Sequence, residues 1–133
     1  MSAYGKTTTR LRDARCLVTV LNMMGFLAEV NDKPQPLIGY HGDARRDKAE
    51  IIIRRQQIST ASNDVGFALQ PDGTYAAIIS DYDRTRFNAG WLTTLNQCYA
   101  EQVQVTEAER LGLVLAEREV IDGEVTLTFA IRE

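Results

Sequence analysis

The chain has 133 residues, of which 44% are hydrophobic, 25% charged and 8% aromatic, with three prolines. That length suits a single domain spanning 1–133, able to bury roughly two thirds of its unfolded surface, and the composition excludes disorder, a collagen repeat and a low-complexity tail. A net charge of −3 and a pI near 5.2 weigh against nucleic acid as a general partner, because such binders carry a basic excess to neutralise phosphates.

Charge is unevenly spread along the chain. Residues 1–55 hold ten Lys/Arg against six Asp/Glu, a balance of +4, while residues 56–133 hold five against twelve, a balance of −7. A basic patch on an acidic body is compatible with this division, as is a solvated surface with chance clustering. The longest uncharged stretch, Phe87 to Ala100, is interrupted by polar residues and falls short of the roughly 18 apolar residues a membrane span needs. The opening MSAYGKTTTR has no apolar core of a signal peptide, so a soluble cytoplasmic protein is expected.

In chain order, residues 4–11 are β-prone through Tyr4 and the threonines. Asp13 is a good N-cap for a helix whose Leu17, Val20, Leu21 and Met24 share one face, and Gly25 stands where such a helix ends. Phe26 to Val30 reads as a short strand broken by Asn31, Asp32, Pro34 and Pro36, with a further short strand at Leu37–Tyr40. Ala49–Arg54 carries Ile51-Ile52-Ile53, a β-branched run suited to a strand covered on both faces. Val65–Gln70 and Thr74–Ser80 flank Pro71-Asp72-Gly73 and predict a hairpin. Asn88 caps a long helix with Leu92, Leu95, Tyr99 and Val103 in one stripe. Thr106 and Glu109 have capping-box spacing, so the spacing predicts a bend or restart there, before Gly112. Leu113–Val120, Asp122-Gly123 and the alternating Val125, Leu127, Phe129 and Ile131 predict a second hairpin with one face in the core. The order β-α-β, a run of strands, then α-β-β predicts an α+β two-layer sandwich: a mainly antiparallel sheet with two helices packed on one face.

Chemistry-bearing patterns are sparse. Cys16 and Cys98 lack zinc-ligand or disulfide spacing and read as small buried hydrophobes. His41 is the single histidine, so no nucleophile–base set, catalytic residue, metal site or cofactor is expected. The most distinctive string is Gly39-Tyr40-His41-Gly42-Asp43-Ala44-Arg45-Arg46. It lacks the pattern of a phosphate loop, and as a GxxG nucleic-acid clamp it fails because it links strands and carries Asp43. Its first reading is a strand-ending turn with a charged, solvated tip. As a site, it offers Tyr40, His41, Asp43, Arg45 and Arg46. The second string, Asp81-Tyr82-Asp83-Arg84-Thr85-Arg86, adds Asp81 and Arg84. Its carboxylates have no EF-hand pattern, and local ion pairs with the arginines are the simpler expectation. Trp91 reads as a core or interface anchor.

These residues resemble the domain-of-unknown-function 1257 family, which includes a conserved chloroplast open reading frame of red-algal plastids and its cyanobacterial relatives. The likeness begins at Met1-Ser2 and runs through Leu17, Leu21 and Gly25. It is strongest at Gly39-Tyr40-His41-Gly42 and Ala49–Arg54, then resumes at Asp64-Val65-Gly66-Phe67, Gly73-Thr74-Tyr75, Asp81 and Tyr99-Ala100. Ala3 stands where members often carry histidine. The resemblance implies a cyanobacterial or plastid-like setting, hence cytoplasm or plastid stroma, and no particular reaction.

The leading expectation is a small accessory protein acting by protein–protein interaction, with a partner still to be identified. The alternative is a small-ligand-binding protein or enzyme with a pocket between sheet and helices, drawing on Tyr40, His41, Asp81 and Arg84. Because both faces of Ile51–Ile53 are apolar, either the loops at 31–36 and 56–63 cover this strand or a second copy does, and the reading leans to a homodimer through Ile52.

Overall fold

The computed structural model describes residues 2–132, so Met1, where the family likeness begins, lies outside the described residues. Five strands, β1 (Tyr4–Thr7), β2 (Glu29–Ile38), β3 (Ala44–Ile53), β4 (Val65–Leu69) and β5 (Tyr75–Ser80), form a sheet in the order β1-β5-β4-β3-β2. Every neighbouring pair is antiparallel. Two helices, α1 (Ala14–Met23) and α2 (Ala89–Arg110), pack on one face, giving the mixed α+β fold that the element order predicts. A separate hairpin, β6 (Leu113–Ile121) and β7 (Glu124–Ile131), follows α2.

The helix ends are set by local chemistry. Asp13 accepts the Cys16 backbone N–H at 3.0 Å, satisfying a donor the first turn would leave free. At the other end Gly25 takes φ +99°, the Phe26 N–H reaches the Leu21 carbonyl at 2.9 Å, and the Gly25 N–H reaches that of Asn22 at 3.0 Å. This doubly bonded close needs a left-handed residue, which glycine supplies without a Cβ clash. Between the caps, Leu17, Val20 and Leu21 are fully buried.

Period-two alternation divides the sheet residues into two clusters. Ile51, Ile53, Val65, Phe67, Ala77 and Ile79 face the helices, where Leu17, Leu21, Phe87 and Leu95 fill the space. Trp91 meets Phe87 edge-on at 4.7 Å and Phe26 at 6.4 Å, so it is an aromatic anchor of this layer. On the opposite face, Leu37, Ala49, Ala76 and Ile78 enclose Ile52, which is 0% exposed. Leu37 lies so close that a Cβ on Gly66 would stand 2.9 Å from its Cδ2 and 2.7 Å from the Ala49 Cβ. The Ile51–Ile53 strand is therefore covered on both faces by its own chain. That removes the ground for a homodimer through Ile52.

Several element expectations need correction. β1 stops at Thr7, because Thr9 turns its hydroxyl onto the Tyr75 carbonyl and the backbone leaves the ladder. The residues expected as two short strands form one, β2, beginning at Glu29; Pro34 and Pro36 are tolerated because it is an edge strand whose register shifts around them. β3 begins at Ala44, so Arg45 and Arg46 belong to a strand. α2 runs unbroken past Thr106. It packs against both α1 and β6, and Leu95 and Ala108 are its buried residues. The β6–β7 hairpin has the expected turn, with Asp122 at φ 51° and Gly123 at φ 80°, but it stays outside the main sheet and most of its side chains are exposed.

Candidate functional site

The β2–β3 turn is closed by the Gly39 N–H on the Asp43 carbonyl at 2.8 Å and the Gly42 N–H on the Gly39 carbonyl at 2.8 Å. GYHGDARR is thus a hairpin turn running into β3. At its tip the ring centroids of Tyr40 and His41 lie 3.9 Å apart with the planes tilted by 37°, Tyr40 half-buried and His41 exposed. The Tyr40 backbone N–H donates to the Asn63 side-chain oxygen at 3.0 Å, which ties the tip to the body.

Two further segments meet the turn. Near the start of the chain, the Arg45 guanidinium lies 5.2 Å above the Tyr4 ring, donates to the Ser2 carbonyl and stands 3.8 Å from Asp43. Its Nη1 is buried without a hydrogen-bond partner among the described residues. The Asp81 N–H donates to the Ala3 carbonyl at 2.9 Å, and Asp81, Tyr82, Tyr40, Ala61 and Ser2 line a depression of about 480 Å³. Of the seven candidate residues, then, Tyr40 and Asp81 share a depression and Asp43 accompanies Arg45. Arg84 sits elsewhere: its guanidinium lies over Gly5, while Arg45 lies over Tyr4, and alternation puts those neighbours on opposite faces of β1. Arg46 is exposed along β3.

The support beneath this end is a buried polar network that the sequence reading missed. Asp83 accepts from the Asn63 backbone N–H at 2.9 Å, from the Ser80 hydroxyl at 2.8 Å and from the Asn63 amide at 3.3 Å. Asp64, 0% exposed, accepts from the Ile38 N–H, the Arg55 N–H and Arg54 Nη1, each at 2.7 Å. Arg54 also reaches Glu29 at 2.6 Å; this hydrogen bond, with one from Asn31, holds the Glu29 carboxyl below its ordinary value. The Tyr4 hydroxyl donates to the Asp64 carbonyl at 2.6 Å, and burial, then the negative Asp64 side chain, push its phenol well above the usual range. The expected ion pairs within Asp81–Arg86 do not form: Asp83 turns inward to neutral donors, and Arg86 lies over the rings of Phe26 and Phe87 at 5.2 and 5.7 Å. In sequence, Ser62-Asn63-Asp64 looks like any polar turn before a strand; no spacing rule marks it as buried.

The polar residues expected to line a pocket between sheet and helices do not converge there, because apolar side chains fill that layer. A hollow of about 830 Å³ lies instead between residues Thr8–Leu11 and the α2 face carrying Tyr99, Ala100 and Val103. Among the described residues no group of three or more His, Cys, Asp or Glu is placed to hold a metal ion. Cys16 is buried with its Sγ 3.7 Å from the Thr106 hydroxyl, and Cys98 is half-buried; both are free.

Fold and site together define a small α+β protein, with an aromatic turn at one end of an antiparallel sheet and no described helix long and apolar enough to cross a membrane. Residues 20–128 match the family described as Protein of unknown function (DUF1257), and the chain belongs to that family. No curated protein and no solved structure is significantly similar to it.

Proposed function

We propose that this chain is a non-enzymatic accessory protein that binds another protein through the Tyr40–His41 turn and the adjoining Asp81–Tyr82 depression, in the cytoplasm or plastid stroma of a cyanobacterial or plastid-like setting. The observation that carries this reading is the Tyr40–His41 ring contact, half-buried at Tyr40 and exposed at His41, on a backbone anchored to Asn63. Tyr and Arg dominate interface hot spots, and a contact surface that is already ordered loses little entropy on binding. Asp43 and Arg46 give the surface around the turn charge of both signs, while Arg45 is turned inward over Tyr4, and this favours a polar partner with complementary charges.

The test is affinity capture from the source cell with a cross-linker, comparing the wild-type chain with Tyr40→Ala/His41→Ala. A partner retained by the wild type and lost by the variant, at unchanged melting temperature, is the expected result. Capture of the same proteins by both chains would reject the turn as the binding surface.

A further inference from the structure

The depression beside the Tyr40 turn brings together two phenol rings and a carboxylate. Tyr40, Asp81 and Tyr82, with Ala61 and Ser2, line its volume of about 480 Å³. Tyr82 is 52% exposed, Asp81 is exposed and Tyr40 is half-buried. These walls come from distant chain segments, and one buried residue beneath them fixes both. Asn63 accepts the Tyr40 N–H through its side-chain oxygen at 3.0 Å, and its amide donates to Ser80 at 3.0 Å and to Asp83 at 3.3 Å. Its backbone N–H reaches Asp83 at 2.9 Å. Tyr82 is thus one residue from a buried anchor, and the Asp81 N–H is tied to the Ala3 carbonyl at 2.9 Å. Walls that are already ordered lose little entropy when a ligand enters.

Charge at this place is left unmatched. Asp81 precedes the short 3-10 turn at Tyr82–Thr85, yet its side chain caps no N–H there. Among the described residues its carboxylate forms no ion pair either. Asp83, 3% exposed below it, is held by neutral donors alone. The neighbouring arginines are turned elsewhere. Arg45 donates to the Ser2 carbonyl and lies over Tyr4, with Asp43 beside it, and Arg84 lies over Gly5. Arg86 lies over Phe26 and Phe87 and donates to the Ile58 carbonyl at 3.3 Å. Aromatic faces beside an unmatched carboxylate attract a cation. A guanidinium suits them better than an ammonium, because it is planar, stacks on rings and offers a carboxylate two parallel N–H groups.

We propose that the depression takes the guanidinium of an arginine side chain presented by a partner protein. The group lies against the Tyr40 and Tyr82 rings and donates to the Asp81 carboxylate. Asp83 adds negative potential from below. That a protein supplies the arginine rests on the reading of this turn as a protein-binding surface; guanidinium binding itself does not.

The test is NMR titration of the full chain, carrying ring-labelled tyrosine, with the blocked tripeptide Gly-Arg-Gly. The titration runs to about 50 mM, because a single side-chain contact binds in the millimolar range. Ring signals of Tyr40 and Tyr82, assigned with Tyr40→Phe and Tyr82→Phe, are expected to move saturably while those of Tyr75 and Tyr99 stay. Blocked Gly-Lys-Gly should bind more weakly, and Gly-Gln-Gly should not bind. Asp81→Asn, at unchanged melting temperature, should bind at least about threefold more weakly, the scale of an exposed ion pair. Signals that stay fixed, an equal response to the lysine or glutamine peptide, or an unchanged affinity in Asp81→Asn overturns the proposal. In affinity capture, Asp81→Asn should lose the partner that Tyr40→Ala/His41→Ala loses. If Asp81→Asn keeps that partner, the turn binds protein and the arginine site falls. If the arginine peptide binds as expected while no protein is captured, the guanidinium site stands and the protein-binding reading falls.

Discussion

Asp83 and Tyr4 illustrate how individual side chains hold the end of the sheet that carries the Tyr40 turn. Asp83 is 3% exposed and satisfies three neutral donors from Asn63 and Ser80, so truncating it strands those donors in the interior. Asp83→Ala is expected to lower stability by about 3 kcal/mol, since each buried group left unpaired loses roughly 1–3 kcal/mol. Asp83→Asn keeps an acceptor oxygen and should lose roughly 1 kcal/mol, the net worth of ordinary hydrogen bonding. Urea unfolding of both variants checks the pair, and equal losses would show that acceptor geometry is irrelevant at this position. For Tyr4, the folded state raises the phenol above its ordinary value of 10.0 through burial and the neighbouring Asp64. The folded chain therefore disfavours the phenolate. Its contribution to stability is intact below pH 10 and declines as pH climbs from there toward the raised folded value. In ultraviolet titration, the difference between the wild type and Tyr4→Phe should be one tyrosine that ionises above the ordinary step.

The elements owe their placement to contacts that short sequence windows do not contain. Gly66 in β4 is required by the approach of Ala49 from β3 and Leu37 from β2 beyond it, so Gly66→Ala should destabilise by roughly 1–3 kcal/mol, the usual range for overpacking. A neutral result by thermal melting would mean that β2 can retreat without loss. Ile52 lies in the small cluster behind β3, and a buried unpaired charge cannot be accommodated there. Ile52→Lys is expected to unfold the chain. A folded variant that merely changes its association state would return Ile52 to an interface. α2 shows a different dependence. Asn88 caps it by accepting the Trp91 N–H at 2.9 Å, a local feature readable from residue type. At Thr106, where the residue types suggest a restart, the helix is continuous and Cys16 of α1 packs against it.

Across the whole molecule, three ion pairs join separate parts of the chain: Arg54 links the half-exposed Glu29 and the buried Asp64, and Arg118 links the hairpin to Glu101 on α2. Hydrogen bonds from the arginines hold the Glu29 and Glu101 carboxyls below their ordinary 4.5. The folded values being depressed, the associated stability is fully present above pH 4.5 and is lost as pH falls through the folded-state values. Melting temperature should accordingly fall in acid, by a modest amount because these groups are solvent-screened. Glu101→Gln should remove part of that pH dependence while leaving neutral-pH secondary structure intact. A pH profile superimposable on that of the wild type would assign the acid response elsewhere.

Much of the architecture follows from the sequence alone, because caps, turns and apolar period are local. Asp13 and Gly25 bound α1, Asn88 starts α2, Pro71-Asp72-Gly73 and Asp122-Gly123 turn their hairpins, and the alternation of Val125 to Ile131 identifies β7. The Gly39–Arg46 string is likewise legible as a turn. Tertiary structure decided what local patterns cannot encode. β2 keeps two prolines because it lies at a sheet edge, where a missing N–H leaves no neighbouring strand unpaired. Ile52 is core because Leu37 folds over it from a strand whose register shifts twice. Asn63, Asp64, Ser80 and Asp83 are buried because three distant chain segments converge and supply each other's hydrogen bonds, whereas in sequence each is an ordinary turn residue. The β6–β7 hairpin carries a core-like alternation, but its position outside the sheet depends on where α2 ends and on how little of that helix the body covers. Burial depends on which segments meet in space, and no residue pattern within a single segment contains that.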